Sequence, residues 1–342
     1  MNKWNVLHVG CGGMAGAWLG PLKERDDVTV VGLVDLNEAA AQSRADEFCA
    51  PGTPVFTDLE TALTSLKPDW VCDCTIPAAH TPVALAAFRH GCHVLCEKPL
   101  SDSLGSARQA LAASREPGKQ YAVLQNYRYR SAIRTVRKIV ESGVLGKLTT
   151  VNVDFSVGAH FGGFREVMEH VLLLDMAIHT FDMGRFISGA DPLAVYCHEW
   201  NPEGSWFRHG ANAHALFEMT DGLVMNYRGS WCAVGQSTGW NGHWRITGEQ
   251  GSIHWTGDDN IQLHRVCDNK GFIYPLEEMP FDRVGLAPNQ EGHAGVIEAF
   301  AEALRTGQPP ETQAADNIKS LAMVLAAIES AEKQVRVEVK AE

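Results

Sequence analysis

Six short apolar runs alternate with amphipathic stretches through the first 125 residues, and this alternation constrains the fold more than any other feature. The spacing predicts strands at 4–9, 28–34, 54–56, 69–75, 92–96 and 120–125, with helices at about 13–25, 37–48, 58–66, 80–90 and 103–115. Parallel strands cannot be joined by a tight hairpin, so each pair needs a crossover, usually a helix. A regular β-α-β-α order therefore predicts a doubly wound parallel sheet. Val28–Val34 and Val71–Ile76 are nearly continuous apolar runs, as strands covered on both faces require.

The pattern changes after about residue 130. Residues 132–142 read as a helix ending at Gly143, 149–157 as a long strand, and 172–187 as a helix ending at Gly189. Strand-like segments then follow without helices between them, at 193–200, 213–219, 223–231, 243–247, 251–256, 260–266 and 271–275. Such a run predicts a large, mostly antiparallel sheet open on one face. Asp221-Gly222 and Gly257-Asp258 mark turns within it. Two helices close the chain, at about 292–306 and 315–334. A chain of 342 residues suffices for two cores. The expected division is 1–126 and 127–342, with the C-terminal helices able to pack back on the first domain.

The formal net charge of -12 argues against nucleic acid or an anionic membrane as the main partner. No apolar stretch approaches the roughly 20 residues of a membrane span. Met1-Asn2-Lys3-Trp4 runs straight into a strand without the regions of a secretory leader, so a cytoplasmic location is expected. The nine cysteines contain no C-x-x-C pair and read as buried, reduced thiols. The nearest approach to a metal set is His170, Asp175 and His179. His170 falls before the helix that carries the other two, so no metal is expected.

The turn Gly10-Cys11-Gly12-Gly13-Met14-Ala15 follows a strand and opens a helix. Gly10 allows the tight turn, Gly12 lets a pyrophosphate approach the backbone, and the small Ala15 permits close helix–strand packing. Gly10, Gly12, Gly13 and Met14 are thus candidate dinucleotide contacts, with free N–H groups and the helix dipole favouring an anion. Asp35 ends the next strand. A carboxylate there accepts from ribose hydroxyls and repels a 2′-phosphate, which favours NAD over NADP. Thr75, Ile76, Pro77 and His80 follow the fourth strand at the edge where such sheets bind ligands; His80 either touches the cofactor or only begins the following helix. Glu97-Lys98-Pro99 closes the fifth strand, where a lysine can stabilise alkoxide character on a reacting hydroxyl.

Asp175, His179 and Asp182 have i, i+4, i+7 spacing in an otherwise apolar helix. A buried carboxylate and imidazole are costly unless paired or facing a cavity. The functional reading makes His179 the general base for a substrate hydroxyl and Asp175 its orienting partner. Asp182 contacts substrate or closes a local network. Six of the nine tryptophans lie beyond residue 199, and rings on an open sheet face suit the C–H faces of a sugar or cyclitol. Loops 156–170, 200–212 and 232–243 would set selectivity, with His160 as a candidate substrate contact.

These segments, with Gly91-Cys92-His93-Val94-Leu95-Cys96-Glu97-Lys98-Pro99-Leu100 and Leu174–Asp182, resemble the glucose–fructose oxidoreductase / inositol dehydrogenase (Gfo/Idh/MocA) family over essentially the full length. The resemblance implies an N-terminal Rossmann domain and a C-terminal α/β domain whose open sheet forms a homodimer or homotetramer interface. It implies that Lys98, Asp175 and His179 form the catalytic trio. It also implies that Asn126 and Arg128 lie near the cofactor–substrate junction. The expected activity is NAD-dependent hydride transfer to or from a ring hydroxyl carbon of a sugar, sugar derivative or cyclitol. One alternative uses the same parts, redox-neutral glycoside cleavage through a transient 3-keto sugar; another, a non-catalytic NAD- or sugar-sensing protein, predicts a broken trio, which the sequence does not show.

Overall fold

The structure is a computed structural model that describes residues 3–115 and 118–341. The chain divides into two compact units. The first runs up to Tyr129 and takes in Leu286–Ile318; the second comprises Arg130–Gly285 with Lys319–Ala341. The division thus falls three residues beyond the one expected from sequence, because the 3-10 turn Asn126–Tyr129 packs on a later helix of its own unit: Asn126 meets His293, and a side chain at Gly295 would collide with Tyr129.

The first unit is an α/β fold built as β1 (Trp4–Val9), α1 (Ala15–Lys23), β2 (Val28–Val34), α2 (Glu38–Phe48), β3 (Val55–Phe56), α3 (Leu59–Leu66), β4 (Trp70–Asp73), α4 (Pro77–Arg89), β5 (His93–Cys96), α5 (Leu104–Arg115) and β6 (Tyr121–Val123). All strand pairs are parallel, and the order is β3-β2-β1-β4-β5-β6. That is the doubly wound Rossmann order, with its switch point between β1 and β4. Helices start where side chains can cap them: Asn37 accepts from the Ala39 and Ala40 amides, and Asp58 from that of Thr61. Pro77 stands at the first position of α4, where its missing N–H costs nothing.

Register brings the strand ends into line. Val9 pairs with Val34 and with Asp73, Asp73 with Cys96, and Cys96 with Val123. The residues that follow, Gly10, Asp35, Cys74, Glu97 and Leu124, therefore leave the sheet at one edge. Under it lies a core of Val6, Trp18, Leu19, Leu33, Trp70 and Leu95, all at most 1% exposed. It is completed by a helix from much later in the chain, whose Phe300 ring lies 4.9 Å from that of Trp70.

The second unit starts with α6 (Ser131–Glu141) and β7 (Leu148–Ser156), then a π-helical segment, Leu172–Ala177, that runs into α7 (Ile178–Ser188). Next come β8 (Pro192–Trp200), β9 (Asn212–Met219), β10 (Val224–Ser230), β11 (His243–Gly248), β12 (Gly251–Trp255), β13 (Ile261–Val266) and β14 (Leu276–Glu278). After α8 (Gly292–Thr306), which belongs to the first unit, α9 (Ala314–Lys333) leads to β15 (Val337–Glu338). The nine-stranded sheet has the order β14-β13-β12-β11-β7-β10-β9-β8-β15 and is antiparallel except where β10 pairs parallel with β7. One face is core: Phe181 of α7 packs edge-on against Phe217 at 4.7 Å and Tyr227 at 5.2 Å. The other is open, with Tyr196, His214, Arg228 and His254 lining a trough of about 1080 Å³.

Two sequence expectations change here. The strand expected at 271–275 lies instead at Leu276–Glu278, because Pro275 lacks the N–H a ladder needs and pairing begins only after it. Of the six late tryptophans, Trp231, Trp244 and Trp255 are at most 2% exposed, so they are core rather than a sugar platform. Trp244 faces Trp255 across the β11–β12 pair, with ring centroids 6.0 Å apart.

Gly10 has φ +93°, and a Cβ on it would lie 2.5 Å from the Cys74 carbonyl oxygen. Gly10→Ala should lower the unfolding free energy by at least about 2 kcal/mol, from left-handed strain alone plus the backbone clash. A Cβ at Gly12 meets nothing within 4 Å, so Gly12→Ala should stay within about 0.5 kcal/mol. Urea unfolding of both variants checks this, and equal midpoints would contradict it.

Candidate functional site

The first unit gathers the expected dinucleotide residues at the aligned strand ends. The Gly10 N–H donates to Val34 O at 2.8 Å, which ties the turn between β1 and β2. Asp35 Oδ2 accepts from the Cys11 amide at 2.7 Å, and Oδ1 from that of Asn37 at 2.8 Å. Backbone donors therefore hold the carboxylate in one orientation, and each oxygen keeps a lone pair for a ribose hydroxyl. Gly12, Gly13 and Met14 are exposed, and Cβ atoms added at the two glycines would meet nothing within 4 Å. That leaves room over the start of α1 for a phosphate, the fit a dinucleotide needs. Arg44 of α2 reaches Gly12 O at 3.4 Å and adds a cation beside the turn.

Sequence reasoning missed the support beneath this turn. His8 is fully buried, and burial pulls its pKa down to about 4. Its Nε2 lies 3.0 Å from Gly10 O, so the neutral ring donates to the turn. Only the alternation along β1, which turns His8 inward with Val6, hinted at this role.

After β4, Thr75 donates from its N–H and Oγ1 to Asp73 Oδ1, at 3.1 and 2.6 Å. Ile76 is exposed and Pro77 opens α4. His80 takes the second of the two places open to it, in the first turn of α4. It has no exposed surface, and its ring nitrogens meet Pro99 O at 2.8 Å and Thr75 O at 3.2 Å.

Glu97 is buried at the end of β5. Its Oε2 accepts from Trp18 Nε1 at 2.8 Å and its Oε1 from the Lys98 amide at 3.1 Å. Burial pushes its pKa up, and the Lys98 charge opposes that shift. Lys98 itself is half-buried, and the Lys98-Pro99 bond is cis. Asn126 Nδ2 lies 3.4 Å from His293 Nδ1. Arg128, expected near substrate, is only 4% exposed and donates to Glu311 O at 2.8 Å and Asp316 Oδ2 at 2.9 Å. It ties the 3-10 turn to the start of α9.

The second unit holds the carboxylate–imidazole pair. Asp175 sits on the π-helical segment and His179 in the first turn of α7, so the uniform 3.6-residue period expected over 172–187 is interrupted between them. Such π insertions recur at functional sites. Asp175 Oδ2 accepts from Arg165 Nε at 2.5 Å. The Arg165 guanidinium also lies over Phe161 and Phe164, 5.1 and 4.8 Å from the ring centroids. Sequence reasoning marked the 156–170 loop but not this arginine, since an aperiodic loop gives no signal for a partner ten residues away. His179 is buried at 8% exposure. Asp182 is 1% exposed, accepts from Ser320 Oγ at 2.7 Å and lies 3.9 Å from Arg185. It closes a local network, one of the two places expected for it.

His160 is exposed and stacks on Trp206 at 3.8 Å, while Trp240 is 45% exposed beside Phe161. His170 turns away from Asp175 and His179: its Nδ1 lies 2.5 Å from Glu199, whose hydrogen bond raises the imidazole pKa, and its Nε2 lies 3.4 Å from Glu332. No helix among the described residues is long and apolar enough to cross a membrane.

Residues 4–125 match the profile described as an oxidoreductase family with an NAD-binding Rossmann fold, and residues 133–254 match the GFO/IDH/MocA C-terminal domain. An uncharacterized protein of Sinorhizobium fredii is 28% identical over 350 residues, covering 96% of this chain and 93% of its own. The D-apiose dehydrogenase of Paraburkholderia graminis is 22% identical over 345 residues, covering 97% and 88%. A crystal structure of an oxidoreductase from Agrobacterium radiobacter, in complex with NAD+, L-tartaric acid and magnesium, superposes with a TM-score of 0.88 at 21% identity, covering 99% of each chain, which speaks for the fold alone. By its sheet order, its glycine turn with Asp35 and both profiles, the chain belongs to the GFO/IDH/MocA family of oxidoreductases, and its first unit is an NAD-binding Rossmann fold.

Proposed function

We propose that the protein is an NAD-dependent dehydrogenase that moves a hydride between nicotinamide and a ring hydroxyl carbon of a sugar, sugar derivative or cyclitol. One observation carries this reading: Lys98 leaves β5 at the same sheet edge as the Gly10 turn and Asp35, in a chain whose second unit adds the Asp175–His179 pair. Full-length similarity to a named sugar dehydrogenase supports the substrate class.

In this reading bound NAD supplies the hydride acceptor. Gly12 and Gly13 leave room for its phosphates, and Asp35 accepts from its ribose hydroxyls. Lys98 donates to the reacting oxygen and stabilises the charge that grows there as the C–H bond breaks. His179 takes the hydroxyl proton at a ring nitrogen, as a neutral imidazole can near physiological pH. Asp175, paired with Arg165, supplies the carboxylate that favours the imidazolium that results. In the reverse direction the same proton returns to the alkoxide. The exposed aromatic rings Phe161, Phe164 and Trp240 supply stacking surface for a carbohydrate.

The open face of the nine-stranded sheet is the surface we propose for a homodimer or homotetramer. Tyr196 and Leu216 are exposed there beside the bidentate Arg228–Asp154 pair, at 2.5 and 2.6 Å. Light scattering should give at least a dimer, and Leu216→Glu should dissociate it; a monomeric wild type would refute this.

Two kinetic outcomes test the chemistry. With NAD and a panel of sugars, sugar acids, glycosides and inositols, one class should give NADH. Lys98→Ala should lower kcat by about 10²–10³-fold while leaving NAD binding intact, since one lost oxyanion donor costs that much. Undiminished turnover in the variant would remove Lys98 from the mechanism. Asp35→Ser should raise KM for NAD by about tenfold and narrow the preference over NADP, because a charge-assisted hydrogen bond contributes about 1.5–3 kcal/mol. An unchanged NAD-to-NADP ratio of kcat/KM would show that selectivity lies elsewhere.

A further inference from the structure

A polar cluster lies directly behind the Lys98 turn, and no step of the proposed chemistry uses it. His80 is 0% exposed, with Nδ1 2.8 Å from Pro99 O and Nε2 3.2 Å from Thr75 O. A carbonyl oxygen can only accept, whereas a neutral imidazole offers one N–H and one lone pair. A neutral ring would therefore set a lone pair against a carbonyl oxygen at one of these contacts, in a place closed to solvent. A ring with both protons satisfies both oxygens.

The counter-charge is adjacent. Asp73 is also 0% exposed, and its Oδ1 accepts twice from Thr75. Its Oδ2 has no hydrogen-bond partner among the described residues. Ligand atoms of Asp73, His80 and Cys96 lie within 4.8 Å of one another. Burial pushes the Asp73 pKa up, and the nearby His80 acts against that shift. Buried charges persist when paired and hydrogen-bonded. The same three donors resemble a metal set, but ring nitrogens that both donate have no lone pair to give. Cys96 Sγ is engaged with Glu97 O at 3.0 Å, and its thiol is held protonated by burial.

The two carbonyls that His80 joins belong to the two loops that matter for the reaction. Pro99 follows Lys98, and Thr75 precedes the Ile76–Pro77 corner at the switch-point edge. The next residue repeats the link, since Thr81 Oγ1 lies 3.0 Å from Ser101 Oγ. We propose that His80 is a buried imidazolium, with the Asp73 carboxylate within 4.8 Å as its counter-charge, that fixes the Lys98–Pro99 turn to the Thr75 loop and is thereby a positioning residue for Lys98. The positioning role rests on the function given to Lys98 above, whereas the charge state of the ring does not.

The test uses full-length protein labelled with 15N histidine, read by long-range 1H–15N correlation at pH about 8, where a free imidazole is neutral. The His80 signals are assigned by their loss in His80→Gln. Both ring nitrogens should show the protonated signature, and Asp73→Asn should convert one of them to the lone-pair type. A lone-pair or metal-shifted nitrogen at His80 in the wild type overturns the proposal. In kinetics, His80→Leu should lose about 10²-fold in kcat at unchanged KM for NAD, as a small misplacement of a reacting group does. His80→Gln, which keeps a donor, should recover part of the loss. Wild-type kcat in His80→Leu overturns the positioning role. If Lys98→Ala remains active while the imidazolium signature holds, the reading of Lys98 fails; if Lys98→Ala is dead and the ring proves neutral, this proposal fails alone.

Discussion

Parallel pairing of β1 with β2 on one side and β4 on the other is the interaction on which the rest of the first unit depends. Parallel neighbours need crossovers, and right-handed crossovers send helices to both faces of the sheet. All strands then point the same way, so their last amides and carbonyls open at one edge with the loops that follow them. The glycine turn, Asp35, the Thr75 loop and Lys98 lie far apart in sequence yet share that edge. Each is brought to that edge by the strand it ends, and contacts such as that of Asp35 with the Cys11 amide then orient it.

That edge carries a cost, which the layer below it meets with specific partners. His8, Asp73, His80 and Glu97 are all under 9% exposed just beneath the ligand-binding loops. His8 is neutral and supports Gly10. Glu97 is held by the Trp18 indole and the Lys98 amide. Polar groups under a functional edge fix loop geometry more sharply than apolar ones, because each donor must meet its acceptor within a few tenths of an ångström and in line. The second unit has a similar arrangement, where Arg185, Asp182 and Ser320 lock α7 below the turn that bears His179.

How far the sequence was legible depended on the reach of the forces involved. The strands of the first unit were readable because burial on both faces leaves unbroken apolar runs such as Val28–Val34, and the start of α2 because Asn37 caps it locally. Gly10 was readable because a left-handed turn leaves few choices of residue. The partners of Arg128 and Asp182, Asp316 and Ser320, were not readable because they lie 188 and 138 residues away. No local pattern reports such a distance. Arg165 was invisible for a related reason, since loops have no period. The tryptophans are different: Trp244 and Ile246 share the inward parity of β11, so strand alternation already marked that ring as core.

The first unit is discontinuous, and this bears on how the chain is made. Val296, Ile297, Phe300 and Ala301 of α8 belong to the same buried cluster as Trp18 and Trp70. A ribosome releases the six parallel strands early, but the residues that seal their core emerge only after eight of the nine strands of the second sheet have been synthesised. Until then a nascent chain exposes indole and aliphatic surface that the finished protein hides. Domains normally close in the order they are translated; here the first to be translated must wait for a helix that follows most of the second unit.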